Sequence, residues 1–175
     1  MTRQQLEHLI RAAATIADDD ELVVIGSQSI LGAYPVAPPE LLVSVEADLY
    51  PKNHPERADL IDGTIGELSP FHETYGYYAQ GVGPETAVLP EAWETRLITI
   101  QNDNTRWAKG MCLEPHDLIL SKYVAGREKD LVFVKVAAEH GIVQRAHLEQ
   151  RLAALKISDA QRELVAQRIA RDHAG

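Results

Sequence analysis

Four consecutive apolar residues, Leu22-Val23-Val24-Ile25, stop abruptly at Gly26-Ser27. A run this short, rich in β-branched side chains and bounded by turn residues, reads as a strand buried on both faces. Such a strand needs a layer of structure on each side. An α/β or α+β architecture follows, with a mixed sheet flanked by helices. The flanking sequence supplies the helices. Leu6, Leu9, Ile10, Ala13 and Ile16 recur at helical spacing over residues 3–17, with Thr2 as N-cap and Asp18-Asp19-Asp20 as the stop. A short helix over 28–33 follows Gly26-Ser27 and ends before Pro35, and Pro35, Pro38 and Pro39 make an extended loop.

Residues 41–50 predict a second strand. Val43, Val45, Ala47 and Leu49 fall on one face; Ser44, Glu46, Asp48 and Tyr50 fall on the other. Beyond Pro51 periodicity weakens. We expect a short helix near 56–61, irregular chain to about 85, and strands at 86–89, 96–101 and 108–113, the last two joined through Asn102-Asp103-Asn104. From Pro115 the pattern is helical, over about 116–125, 129–139, 144–155 and 159–172, punctuated by Gly126, Gly141 and Ser158. The expected organisation is one domain over 1–175, with a sheet core at about 20–113 and a helical part at 114–175.

Composition narrows the function. With 175 residues, 45% of them hydrophobic, the chain can bury a core without staples, and its single Cys112 excludes a disulfide framework. No apolar run reaches the roughly 20 residues a membrane span needs, and the first residues lack a signal-peptide pattern, so a cytoplasmic protein is expected. The formal charge of −9 argues against a generic nucleic-acid coat. Its distribution is uneven: residues 1–119 sum to −12 and residues 120–175 to +3. That pattern fits either helices that carry solvated Lys and Arg or a weakly basic face beside an acidic site.

Glu46 and Asp48 carry the chemistry. Carboxylates at i and i+2 of a strand point the same way, roughly 6–7 Å apart at Cβ, a spacing that suits hard divalent cations such as magnesium. Gly26 allows close backbone approach, and Ser27 opens a helix whose N-terminus favours anions. Either feature alone is common: a half-exposed strand also shows E-x-D, and Gly-Ser also makes ordinary turns. Their order along the chain is the stronger signal.

A strand ending in Gly-Ser, a short helix and then a strand bearing [DE]-x-[DE] resembles the nucleotidyltransferase fold of the DNA polymerase β superfamily. The segment Pro115-His116-Asp117-Leu118-Ile119-Leu120-Ser121-Lys122-Tyr123, followed by Arg127-Glu128-Lys129-Asp130, is similar to a helix of AbiEii-type and toxin nucleotidyltransferases. The GSQS, EAD and SKYVAGREKD segments also resemble an uncharacterised bacterial nucleotidyltransferase-like branch. The resemblance covers about residues 20–135. It implies magnesium-dependent transfer of a nucleoside monophosphate from a nucleoside triphosphate (NTP) to a hydroxyl. The acceptor is RNA, notably the tRNA 3′ end, in the related toxins, which implies an antitoxin or self-association as a partner. In other branches the acceptor is a protein side chain or a small molecule. By role, Glu46 and Asp48 would hold magnesium, Gly26, Ser27 and Ser44 would meet the nucleotide, Lys122 would pair with its phosphates, and Asp130 would position Lys122 or the base.

Three departures accompany the resemblance. Glu46 stands where Asp is usual, the loop between Ser27 and Glu46 is long and proline-rich, and the later strand at 86–89 lacks the expected third carboxylate, with Glu85 the nearest acid. A decayed nucleotidyltransferase-fold binding protein and a small-molecule transferase are therefore alternatives to an RNA-modifying enzyme. Lys122 also fits a side chain snorkelling over an apolar helix stripe. The aromatic segment 69–78 fits either base stacking or packing over the sheet. Cys112 reads as a core residue, and the scattered His54, His72 and His116 lack zinc-ligand spacing.

Overall fold

A computed structural model describes residues 1–174. Five strands form one mixed sheet, β1 (Glu21–Val24), β2 (Glu46–Pro51), β3 (Tyr78–Gly81), β4 (Ile98–Ile100) and β5 (Lys109–Cys112), in the order β3-β2-β1-β5-β4. β1 runs antiparallel to β2 and parallel to β5; β2 and β3 are parallel, and β4 and β5 antiparallel. The central strand is as buried as its sequence requires, with Leu22, Val23, Val24 and the following Ile25 almost wholly covered.

Helix α1 (Arg3–Ala17) starts at Thr2, whose hydroxyl accepts from the Gln5 N–H while the Gln5 side chain accepts from the Thr2 N–H, a closed capping box. Its apolar stripe is buried at Leu6, Leu9, Ile10 and Ala13. After Gly26 the chain makes a 3-10 turn at Ser27–Ser29 and then α2 (Ile30–Ala33). A Cβ on Gly32 would lie 2.5 Å from the Cys112 Cβ, so the missing side chain lets α2 settle onto β5. Helices α3 (Ala58–Ile65) and α4 (Pro70–Tyr75) precede β3. The C-terminal part is α5 (Pro115–Ala125), α6 (Glu128–Glu139), α7 (Arg145–Ala153) and α8 (Asp159–Asp172). One hydrophobic cluster runs from Leu6 through the sheet to Leu148, Val165 and Ile169. Among the described residues, no helix is long and apolar enough to cross a membrane.

Three expectations need correction. The second strand begins at Glu46, not at 41. Residues 39–41 make a 3-10 turn, and the Ser44 hydroxyl accepts from the Glu46 N–H, a local bond that replaces the ladder. Val43 is consequently 79% exposed instead of facing the core. Residues 86–89 are not a strand: Pro84 and Pro90 bracket them, a 3-10 turn spans Pro84–Thr86, and the rest is irregular. The segment to 85 is less irregular than its sequence suggests, because it holds α4 and β3. β3 is held by β2 on one side, and its four residues are too few to display a period.

Candidate functional site

β2 places Glu46 and Asp48 on one side of the sheet, beside the end of β1. The Ile25 N–H donates to the Asp48 carbonyl at 3.0 Å, so pairing with β2 continues one residue past β1, up to Gly26. A Cβ on Gly26 would lie 2.1 Å from Asp48 Oδ2. The Gly26 φ of −78° is open to any residue, so it is the space of a side chain, not a special backbone angle, that Gly26 yields to the Asp48 carboxyl.

The two acids are unequal. Burial, then the neighbouring Glu46, pushes Asp48 up to about 7. Burial works the same way on Glu46, but hydrogen bonds from Asp48 and Tyr78, with the charges of Lys129 and Lys122, hold Glu46 below the usual carboxylate range. The Tyr78 hydroxyl donates to Glu46 Oε2 at 2.8 Å. Below about pH 7, without a bound cation, the pair therefore shares one proton.

Across the cleft stands the α5–α6 hairpin. Gly126 closes α5 with φ +63°, its N–H donating to the Lys122 carbonyl, and Arg127 leads directly into α6. That tight reversal folds Asp130 back onto Lys122. Asp130 is 1% exposed; it accepts from Lys122 Nζ at 3.1 Å and from Arg127 Nε at 2.6 Å. These cations overcome burial and keep its carboxyl below the ordinary range. Lys122 also lies 5.5 Å from the centre of the Phe133 ring. Lys122 is thus held by a buried ion pair and does not snorkel to solvent. Lys129, on the same turn, has no ion-pair partner among the described residues and faces Glu46 and Asp48.

A cavity of about 850 Å³ lies between these elements. Ser27, Ser44, Glu46, Asp48, Lys122 and Asp130 all line it. Val43, Val132 and Phe133 form an apolar wall; Val43 and Val132 are solvent-exposed. Gly26 faces a second, smaller cavity of about 170 Å³. Four further residues belong to the cleft that sequence reasoning did not assign: Arg127, Lys129, Tyr78 and Gln80. Arg127 and Lys129 follow Lys122 in the chain, and the reversal at Gly126, not helical spacing, brings them to the cleft. Nothing in the sequence ties Tyr78 or Gln80 to Glu46 and Asp48, since that link is made by the β2–β3 register.

In that register Gln80 stands beside Asp48, where a third acid would be nearest. Glu85 lines neither cavity; its carboxyl turns back over Gly83. Among the described residues no group of three or more His, Cys, Asp or Glu gathers as a metal cluster. Two adjacent carboxylates beside a large cavity still fit one magnesium, a cation that takes one or two carboxylates and completes its shell with water and substrate phosphates. Of the aromatic segment, Tyr78 alone reaches the site, through its bond to Glu46. Phe71, Tyr75 and Tyr77 gather round His8 of α1, and His72 lies against Tyr78. Cys112 is buried, its thiol pushed up to about 12 by desolvation.

The structure is thus that of an α/β protein in which a mixed sheet offers paired carboxylates to a large cleft, opposed by a helical hairpin carrying three cations. The chain belongs to the family described as nucleotidyltransferase of unknown function (DUF6036), which matches residues 4–173. No curated protein and no solved structure matched the chain.

Proposed function

We propose that this nucleotidyltransferase-family chain transfers a nucleoside monophosphate from an NTP to a hydroxyl acceptor, using one magnesium at Glu46 and Asp48. The observation that carries this reading is the large cleft in which those two acids face Lys122, Arg127 and Lys129. Phosphoryl transfer asks a protein chiefly for positioning and charge neutralisation, and this cleft has parts for both. The cation, when bound, would neutralise phosphate charge and polarise the phosphorus centre. Ser27 and Lys129, which line the cleft, would meet the triphosphate, and Ser44 fixes the entry to β2 through its bond to the Glu46 N–H. Val43 and Val132 offer an apolar surface to the base. The chain works as one unit in this reading, because the sheet supplies the acids and the helical part the cations.

A second reading has its own support: the amide of Gln80 beside Asp48 suits a protein that binds nucleotide without turnover. Calorimetric titration with each NTP and magnesium tests the shared premise, with heat expected for wild type and none for Asp48→Ala. Release of pyrophosphate then separates the two readings. Wild-type protein that binds no NTP at millimolar ligand refutes both.

A further inference from the structure

The cleft is not a single space. The cavity of about 170 Å³ and the cavity of about 850 Å³ meet at Asp48, Thr86, Lys122 and Arg127. Gly26 faces the small one and Ser27 the large one, so the end of β1 is a ridge between them. A nucleotidyl transfer needs this division. The attacking hydroxyl must approach the α-phosphorus roughly in line with the bond to the leaving pyrophosphate, and so from the other side. The larger cavity lies within the range of about 300–1,000 Å³ usual for small-molecule sites, and the smaller falls below it.

We infer that the small cavity is the acceptor site, and that it takes one tyrosyl side chain of a protein substrate. The inference rests on the nucleotidyltransferase reading above. Its walls are apolar: Ile25, Ala87, Val88, Val124 and Ala125. Most of the polar groups that line it are engaged, Asp48 among them through its neighbour Glu46. The Ser121 hydroxyl donates to the Leu118 carbonyl at 2.7 Å, and Lys122 and Arg127 are bound to Asp130. Thr86 carries the one lining hydroxyl with no partner among the described residues. A sugar or an RNA 3′ end would bring several hydroxyls against these mostly apolar walls, and each one left unbonded would cost about 1–3 kcal/mol. A phenol has a flat apolar body and one hydroxyl. A serine or threonine side chain would leave the walls unfilled.

The chemistry balances. The phenol oxygen forms a bond to the α-phosphorus, the bond from that phosphorus to the β-phosphate oxygen breaks, pyrophosphate leaves into the larger cavity, and the phenol proton passes to solvent.

The test uses the full chain, ¹⁵N-labelled, with magnesium and a non-hydrolysable NTP analogue. Two probes are added in turn: p-cresol, which is a tyrosine side chain without its backbone, and methyl β-ribofuranoside, which is the sugar of an RNA end. The expected result is shifted amide signals at Ala87, Val88, Val124 and Ala125 with p-cresol, at least tenfold weaker in Val88→Trp and in Ala125→Trp, and none with the riboside. Both variants should keep analogue binding within about twofold. The inference is overturned if p-cresol leaves these signals unmoved, if the riboside moves them at lower concentration, or if neither tryptophan weakens the p-cresol response. The analogue has its own signature at Ser27 and Lys129. If that signature is missing, the nucleotidyltransferase reading fails first; if it is present and p-cresol is silent, only the acceptor inference fails.

Discussion

Asp48→Asn should stabilise the folded protein at alkaline pH while removing its affinity for magnesium and NTP. The magnitude follows from the site. Moving a carboxyl from its ordinary 3.8 to about 7 corresponds to about 4 kcal/mol of folding free energy. The direction follows from proton binding. Between pH 3.8 and 7 the folded state holds a proton on Asp48 that the unfolded state has lost, so stability falls as pH rises through that window and stays low above it. Glu46 offsets part of this cost, since its own carboxyl is held below the usual range. A net gain of about 2 kcal/mol for the variant is a reasonable expectation at pH 8. For a chain of this length that raises Tm by about 4–8 °C. The amide can donate to Glu46 as the protonated carboxyl does, so no hydrogen bond is lost.

Thermal melts of wild type and Asp48→Asn from pH 4 to pH 8 are the assay. The two curves should meet near pH 4 and separate progressively up to about pH 7. Magnesium should raise the wild-type Tm at pH 8 and leave the variant unmoved, because ligands that bind only the folded state stabilise it. A variant less stable than wild type at pH 8, or a difference that does not change between pH 5 and pH 8, refutes the reasoning.

Gly26→Ala should leave the melting temperature within a few degrees of wild type yet weaken magnesium-dependent NTP binding by about tenfold or more, a loss read by calorimetry, because its methyl group would occupy the position of Asp48 Oδ2. Asp130→Ala should destabilise by about 3–5 kcal/mol in urea unfolding, since it leaves Lys122 buried without its partner. Arg127→Ala, whose side chain is 61% exposed, should cost no more than about 1 kcal/mol in the same measurement. Lys129→Ala should weaken NTP binding about tenfold with no change in Tm, and the difference from wild type should shrink as salt is added.

What the sequence made legible was local. The N-cap at Thr2, the buried run before Gly26 and the alternation of Glu46, Ala47, Asp48 and Leu49 are short-range patterns, and each appears in the structure where spacing placed it. The charge division was legible too: the acid-rich part holds Glu46 and Asp48, and the basic part contributes Lys122, Arg127 and Lys129. What was hidden depends on pairing between distant segments. β3 is defined by its neighbour β2, so neither the strand nor the meeting of Tyr78 with Glu46 and Gln80 with Asp48 could be read from four residues. The strand over 41–50 was overextended because alternation continues through Val43 and Val45, whereas the Ser44 hydroxyl diverts the backbone before Glu46.

The same dependence explains how the site keeps its geometry. Its acids lie on a paired strand, but its cations lie on a hairpin more than seventy residues later, and something must fix one against the other. Asp117, with no exposed side chain, binds Arg96 through Nε at 2.8 Å and Arg151 through Nη1 at 3.0 Å. Glu114, at the start of the same helix, caps the His116 N–H and pairs with His116 and Arg151; burial opposes its ionisation, but these partners bring its carboxyl down to about 2. One end of α5 is thus tied both to the loop that leads into β4 and to α7. The other end is set by Gly126, where a Cβ would meet the Arg168 guanidinium at 2.4 Å. With both ends of α5 fixed, Lys122 has little freedom relative to Asp48. Arg96 Nη2 also donates to the Glu91 carbonyl, three residues beyond Val88, so the chain that lines the small cavity is tied to α5 a short way downstream. Loss of Asp117 would therefore loosen the cation side and the acceptor side together, although it touches neither cavity.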